Sequence, residues 1–214
     1  MKNHLITCLL ILVPILALAQ KTFEFTVEGM SCETCAETAE KVLTFEGVIS
    51  AKVDFATKKA TVVAEDGITA VDLKKRMYEY SNFEALFPGE SLVKPLTDEE
   101  KAGLDIRVLP PGEKIKFRKE VVQGKITIFD FTAKWCGPCR IYSPKVERLL
   151  LKYPNLALRE VDIVKWESDL GQQLTRDFEM PSLPFTLIFD ENGKLLGKVI
   201  GNQIEELEAL ISKR

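Results

Sequence analysis

Two Cys-x-x-Cys pairs, Cys32/Cys35 and Cys136/Cys139, constrain this sequence more than any other feature. A disulfide at this spacing closes so short a loop that it restricts the unfolded chain very little. The fifth cysteine, Cys8, lies in an apolar N-terminal run, so none remains for a long-range disulfide. We therefore expect both pairs to serve redox chemistry or metal binding rather than to staple the fold.

The N-terminal stretch 1–19 has the features of a secretory signal. Lys2 supplies a positive start, residues 5–18 are mostly apolar, and Ala-Leu-Ala at 17–19 is an A-x-A cleavage site. We expect cleavage after Ala19 and a periplasmic or secreted mature chain. An uncleaved membrane anchor is the alternative, but a membrane span needs about 20 apolar residues and this run is shorter.

The composition excludes several functional classes. His4 is the only histidine and lies in the predicted signal, so the mature chain lacks the residue needed for Cys–His catalysis, Ser–His–Asp catalysis and His-ligated zinc. The formal net charge is −3 and the basic residues form no stripe, so we expect no nucleic-acid partner. No G-x-G-x-x-G motif occurs, so we expect no organic cofactor.

Hydrophobic patterning divides the mature chain into two domains, and the predicted class is α/β or α+β. The expected boundaries are 20–87 for the first domain, 88–112 for a linker and 113–214 for the second domain. The first domain has the order strand, helix, strand, strand, helix, strand, at 22–27, 33–45, 48–55, 60–64, 71–80 and 83–86. This order is typical of a ferredoxin-like fold.

The predicted linker contains four prolines and the acidic run 98–100. It is expected to be irregular apart from one short helix, with packing against a domain as the alternative. In the second domain, strands alternate with helices and end in a hairpin around Glu-Asn-Gly at 191–193. This pattern predicts a mixed central sheet.

The second cysteine pair lies in Trp-Cys-Gly-Pro-Cys at 135–139, where a buried strand at 125–131 runs into a helix at 139–153. A helix N-terminus favours the thiolate of Cys136, the form that attacks a disulfide. Cys139 lies one turn further on, within reach to resolve a mixed disulfide. A zinc site needs four ligands and this pair offers two, which argues against metal here.

On these residues, the segment 113–214 resembles thioredoxin. The resemblance implies that Cys136 and Cys139 are the catalytic pair. It also implies that Asp130, six residues before Cys136, is a buried carboxylate that assists proton transfer at Cys139. Pro144 matches the proline that kinks the active-site helix of this family.

The resemblance further implies a substrate-binding surface formed by Trp135, Leu183 and Pro184. Leu183 and Pro184 match the cis-proline loop that lies against the disulfide in this family. The loop reads Leu-Pro-Phe-Thr where the family usually has Pro-Thr directly, and Pro181 precedes it. This departure leaves the choice of substrate open.

The first cysteine pair lies in Gly-Met-Ser-Cys-Glu-Thr-Cys at 29–35. Two soft thiolates at a helix N-terminus suit Cu(I). The segment 20–87 resembles a heavy-metal-associated domain, the module of copper chaperones and metal-pumping ATPases. The resemblance implies Cys32 and Cys35 as the metal ligands and Met30 as a core residue. Hg(II) is an alternative ion, and a structural disulfide or a second redox pair are alternatives to metal binding.

Two hypotheses follow for the whole chain. In the first, it is an extracytoplasmic thiol–disulfide oxidoreductase, reducing in direction, with an appended Cu(I)-binding domain. Its partners would be protein disulfides, a membrane electron-relay protein as reductant, and copper-handling proteins. In the second, it is a copper or mercury chaperone whose thioredoxin-like domain keeps Cys32 and Cys35 reduced.

Overall fold

The computed structural model describes residues 20–213, so the predicted secretory signal and its cleavage site lie outside the described residues. The described chain forms two units, each built on its own sheet. No helix within residues 20–213 is both long enough and apolar enough to cross a membrane.

The N-terminal unit is a four-stranded antiparallel sheet with two helices packed on it. Its elements are β1 (Gln20–Glu28), α1 (Glu33–Leu43), β2 (Val48–Val53), β3 (Lys59–Glu65), α2 (Ala70–Tyr80) and β4 (Glu84–Leu86). The strand order is β2-β3-β1-β4, and β1 pairs antiparallel with both β3 and β4. The ferredoxin-like order predicted from the sequence is confirmed.

The two helices of this unit follow from local sequence. Ala36, Ala39 and Leu43 recur at spacings of three and four residues, so α1 presents one apolar face, and all three are buried. Thr69 and Asp72 form a reciprocal capping box that starts α2. Both helices contribute buried residues to one core cluster with the sheet.

The C-terminal unit is built on a mixed five-stranded sheet in the order β5-β7-β6-β8-β9. The elements that follow β4 are α3 (Asp98–Lys101), β5 (Asp105–Val108), α4 (Phe117–Glu120), β6 (Ile126–Thr132), α5 (Cys139–Lys152), β7 (Leu156–Asp162), α6 (Asp169–Phe178), β8 (Phe185–Phe189), β9 (Leu195–Ile200) and α7 (Ile204–Ser212). Central strand β6 runs parallel to β7 and antiparallel to β8. The mixed sheet predicted from the sequence is confirmed.

Strand β6 separates two cores. Phe129 and Phe131 belong to the core on one face, whereas Ile126 and Ile128 belong to the core on the face covered by α5. Side chains alternate between the faces of a strand. Asp130 therefore shares the face of Ile126 and Ile128 and lies beneath α5.

The predicted linker 88–112 packs on the C-terminal unit, which was the alternative to an irregular linker, and it contains one short helix as expected, α3, together with a strand that was not predicted, β5. Strand β5 pairs in parallel with β7 and forms an edge of the second sheet. Upstream of β5, the buried Glu147 carboxylate accepts a hydrogen bond from the Leu96 N–H at 2.8 Å and pairs with Lys101 at 3.0 Å. Strand β5 has only four residues and lies between prolines, so the sequence pattern does not indicate a strand there. It is stabilised by its hydrogen bonds to β7 in the folded sheet.

A close helix–loop contact at Gly171 holds the loop before α6. A β-carbon at this position would overlap the carbonyl oxygen of Trp166 and lie 2.8 Å from that of Lys165. In the same loop, the Val164 carbonyl accepts a hydrogen bond from the indole of Trp135 at 2.8 Å. Gly171 therefore supports the loop on which Trp135 rests.

We expect Gly171→Ala to destabilise the C-terminal unit, although alanine improves helix propensity by about 1 kcal/mol. The added methyl overlaps backbone atoms, so the helix or the loop must shift, and we expect a net loss of roughly 1–2 kcal/mol. Urea unfolding followed by circular dichroism measures this change. Gly67→Ala is the control, because a β-carbon there meets nothing within 4 Å. Equal midpoints for Gly171→Ala and the unmodified chain would contradict the expectation.

Candidate active site and metal-binding loop

Cys136 and Cys139 lie where β6 leads through a short loop into α5, and they form a disulfide with a Cα–Cα distance of 5.4 Å. The Cys139 N–H donates to the Cys136 Sγ at 3.2 Å. When the pair is reduced, this N–H and the helix dipole stabilise a thiolate on Cys136. Cys136 is 4% exposed and Cys139 is 2% exposed, so access to either sulfur is restricted.

Asp130 is 1% exposed beneath α5. Burial raises the pKa of its carboxyl to about 7, the negative charges of Glu160 and Glu147 add to the rise, and the Ser143 hydroxyl opposes it only in part. Asp130, Cys139, Ser143, Glu147 and Glu160 line one cavity of about 490 Å³. Asp130 therefore shares a cavity with Cys139, and its carboxyl changes protonation state near neutral pH.

The predicted substrate-binding residues differ in burial and in backbone geometry. Leu183 is buried in the same cluster as Cys136 and Cys139. The Leu183–Pro184 peptide is cis, as the thioredoxin resemblance implies. Trp135 is 45% exposed and lies against Trp166 with ring centroids 5.8 Å apart. An exposed aromatic surface therefore lies next to Cys136.

Cys32 and Cys35 also form a disulfide, at the N-terminus of α1, with a Cα–Cα distance of 5.2 Å. Cys32 is exposed, and its sulfur contacts the Thr34 hydroxyl at 3.2 Å. Cys35 is half-buried against the core, and Met30 is buried within it. Met30 therefore lies in the core, as the resemblance implies, and the exposed side of the loop presents Cys32.

The donor set fits a soft ion of low coordination number. Reduction of Cys32 and Cys35 supplies two thiolates, which suit Cu(I) or Hg(II). Among residues 20–213, no cluster of three or more His, Cys, Asp or Glu residues is arranged for a metal. The loop therefore lacks the four ligands of a structural zinc site and supports two-thiolate binding.

Comparisons with known proteins agree with this division. The thioredoxin family model matches residues 110–213, and the heavy-metal-associated domain model matches residues 24–80. The H-type thioredoxin of Fagopyrum esculentum is 35% identical over 92 residues, which cover 43% of this chain and 74% of that protein. The chain belongs to the thioredoxin family.

Two further proteins similar to this chain are also thioredoxins. Thioredoxin H8 of Arabidopsis thaliana is 35% identical over 89 residues, which cover 42% of this chain and 56% of the plant protein. The oxidised mitochondrial thioredoxin 3 of Saccharomyces cerevisiae is 28% identical, with 51% of this chain and 95% of that chain covered and a TM-score of 0.41. The predicted two-domain architecture is confirmed, and the thioredoxin domain with its Cys136–Cys139 pair is a thiol–disulfide oxidoreductase domain.

Two acidic residues of the thioredoxin domain were missed at the sequence level. Glu160 pairs with Asp130 across parallel strands β6 and β7, so both side chains lie on the same face of the sheet. Burial raises the pKa of Glu160, and neighbouring Glu147 raises it further. Only the register of the two strands reveals this acidic group, and no local sequence signal does.

The contact between the two motif loops was also missed. A β-carbon at Gly137 would overlap the carbonyl oxygen of Gly29 and lie 3.2 Å from the Ser31 Cβ. Ser31 directly precedes Cys32, and Gly137 directly follows Cys136. The loop at 29–35, the metal loop, therefore packs on the loop at 135–139, the redox loop.

Asp130 should make stability fall as pH rises. The folded carboxyl keeps its proton up to about pH 7, whereas the unfolded carboxyl loses it near its ordinary pKa of 3.8. Between these values the folded state binds more protons, so stability is lost from about pH 4 to about pH 7 and stays low above that range. The loss amounts to at most about 4 kcal/mol for this shift.

We therefore expect Asp130→Asn to stabilise the oxidised protein at pH 8 and to change it much less at pH 4. Urea unfolding followed by the fluorescence of Trp135 and Trp166 reports on the thioredoxin domain, since these are the two tryptophans of the chain. Asp66→Asn, at an exposed surface pair, is the matched control. An unchanged pH dependence in Asp130→Asn would refute the expectation.

Proposed function

We propose that the protein is a thiol–disulfide oxidoreductase that acts outside the cytoplasm, in the reducing direction, with an N-terminal domain that binds Cu(I). The observation that carries the redox part is the position of Cys136 at the N-terminus of α5, with Cys139 and Asp130 bordering one cavity. This arrangement supplies a nucleophile, a resolving thiol and a proton acceptor.

The reaction begins when the Cys136 thiolate attacks a substrate disulfide and one substrate sulfur leaves as a thiolate. Cys139 then passes its proton to Asp130 and attacks the Cys136 sulfur, which releases the second substrate thiol. Two electrons move from the cysteine pair to the substrate, and the pair ends as a disulfide. A carboxyl with a pKa of about 7 accepts and returns this proton at neutral pH.

The direction and partners rest on sequence. The Gly-Pro dipeptide between Cys136 and Cys139 resembles reducing members of the thioredoxin superfamily. Reduction outside the cytoplasm needs a continuing source of electrons, for which we propose a membrane electron-relay protein that carries a dithiol. The proposed substrates are protein disulfides, and the proposed location follows from the apolar run at 5–18.

Cys32 and Cys35 would hold Cu(I) as cargo, with Hg(II) as the alternative ion. Thiolates select soft ions, and coordination by two sulfurs leaves the ion open to a third thiolate. Copper-handling proteins with paired cysteines are the partners that this chemistry fits. Metal binding requires both thiols, so it depends on the redox state of the Cys32–Cys35 pair.

Paired cysteine variants should separate the two activities. We expect Cys32→Ser/Cys35→Ser to lose the single Cu(I) site yet still reduce oxidised glutathione, and Cys136→Ser/Cys139→Ser to do the reverse. Titration of the reduced variants with Cu(I) against a competing chelator measures metal binding. An assay with oxidised glutathione measures disulfide reduction. Cu(I) binding that survives loss of Cys32 and Cys35 would refute the metal assignment.

The reduction potential of Cys136–Cys139 tests the direction. We expect a value nearer the roughly −270 mV of thioredoxin than the roughly −120 mV of a periplasmic oxidant. Equilibration of Cys32→Ser/Cys35→Ser with glutathione or dithiothreitol buffers measures this pair alone. A value close to that of the oxidant would reverse the proposed direction.

A further inference from the structure

The N-terminal domain lies directly on the redox loop. Gly137 has no room for a β-carbon because the Gly29 carbonyl oxygen and the Ser31 Cβ occupy that space. On the other side of the contact, a β-carbon at Gly29 would lie 3.3 Å from the Cδ1 atom of Ile141 in α5. The loop that carries Cys32 therefore covers the loop that carries Cys136.

The same contact extends to the cis-proline side of the thioredoxin domain. The Asn82 Oδ1 accepts a hydrogen bond from the Asn202 N–H at 3.4 Å, and a β-carbon at Gly201 would overlap this oxygen. The Gly201 N–H in turn donates to the carbonyl of Pro184 at 2.8 Å. The N-terminal domain thus reaches the cis-proline loop through one glycine.

Polar pairs hold the two domains together beyond the loops. Lys145 of α5 pairs with Glu84 of β4 at 2.8 Å, and both side chains are partly buried. The Gln203 amide donates to the Tyr78 carbonyl at 2.9 Å, and the Tyr78 hydroxyl donates to Glu205. These contacts join β4 and α2 to α5 and α7, so the placement of the metal loop does not depend on one contact.

We propose that the disulfide docked for reduction by Cys136 is Cys32–Cys35 of the same chain, and that Cys32 is the sulfur attacked. The proposal rests on the thiol–disulfide exchange proposed above. Two observations favour it: the loop of this disulfide covers the redox loop, and Cys32 is exposed whereas Cys35 is half-buried.

The exchange balances within one chain. The Cys136 thiolate forms a bond to the Cys32 sulfur, the Cys32–Cys35 bond breaks, and Cys35 leaves as a thiolate in the first turn of α1, where it takes a proton. Cys139 then attacks Cys136 and releases the Cys32 thiol. Two electrons and two protons pass to the Cys32–Cys35 pair, and an external dithiol restores the Cys136–Cys139 pair.

Docking within one chain gives the metal loop a high effective concentration at Cys136, of millimolar order for a short connection. Other protein disulfides must displace it to reach the same surface. The N-terminal domain is therefore both the first substrate and the competitor of external substrates.

Two variants of the full chain test the docking. Cys35→Ser/Cys139→Ser retains Cys32 and Cys136 from the two pairs. Cys32→Ser/Cys139→Ser retains Cys35 and Cys136. With oxidised glutathione as oxidant, we expect the first to form an intrachain disulfide at a rate independent of protein concentration. We expect it to form at least about tenfold faster than in the second, because Cys35 is less accessible. Peptide mapping after acid quenching identifies the bonds.

A charge exchange tests the interface itself. In the background Cys35→Ser/Cys139→Ser, Lys145→Glu should slow formation of the intrachain disulfide by roughly threefold to tenfold, since two like charges then meet at the docking contact. Addition of Glu84→Lys should restore the rate. Lys145→Glu with all four cysteines intact should reduce oxidised glutathione at the normal rate or faster, because weaker docking leaves the Cys136 surface more open to an external disulfide.

The outcomes separate this proposal from the one on which it rests. A chain that reduces oxidised glutathione but yields only interchain disulfides, or joins Cys35 to Cys136 as fast as Cys32, overturns the docking proposal alone. A chain that fails to reduce oxidised glutathione overturns the proposed function. A Lys145→Glu variant with an unchanged intrachain rate also overturns the docking proposal.

Discussion

The burial of a carboxyl group in the centre of the second sheet constrains the rest of the thioredoxin domain. Asp130 lies on β6 with 1% exposure, and burial disfavours its charged form. A strand that carries such a group must gain stability elsewhere, and β6 does so by contributing to an apolar core on each face. On the face covered by α5, Asp130 lines the same cavity as Cys139. The unfavourable burial of this carboxyl therefore places it beside the resolving cysteine.

The sequence was sufficient to predict the parts of this site that depend on local pattern. The apolar neighbours Ile128, Phe129 and Phe131 indicate that Asp130 is buried, and the strand–Cys-x-x-Cys–helix order places Cys136 at a helix N-terminus. By contrast, Glu160 approaches Asp130 only through the register of β6 and β7. The sequence does not predict strand β5, because four residues between prolines and glycines carry too little pattern to indicate a strand that forms only by pairing with β7.

The contact between the domains lay beyond the sequence for a different reason. Gly29 has a positive φ of 96° and Gly137 lies in a tight turn between two cysteines, so each glycine has a local explanation. Nothing in either motif indicates that the two glycines pack against each other across more than a hundred residues. The periodicity of apolar residues indicates which face of a helix or strand packs on the core of its own domain. A contact between two loops produces no such periodicity in the sequence.

The docked arrangement also implies that metal binding limits the internal exchange. An oxidised Cys32–Cys35 pair offers a disulfide to Cys136 but no thiolate to a metal, whereas the reduced pair offers two thiolates and no disulfide. Once a soft ion holds both sulfurs, neither can return to the disulfide without releasing the ion. In the proposed scheme, electrons therefore flow to the metal loop only while Cys32 and Cys35 are oxidised, and a bound soft ion keeps both sulfurs out of the exchange.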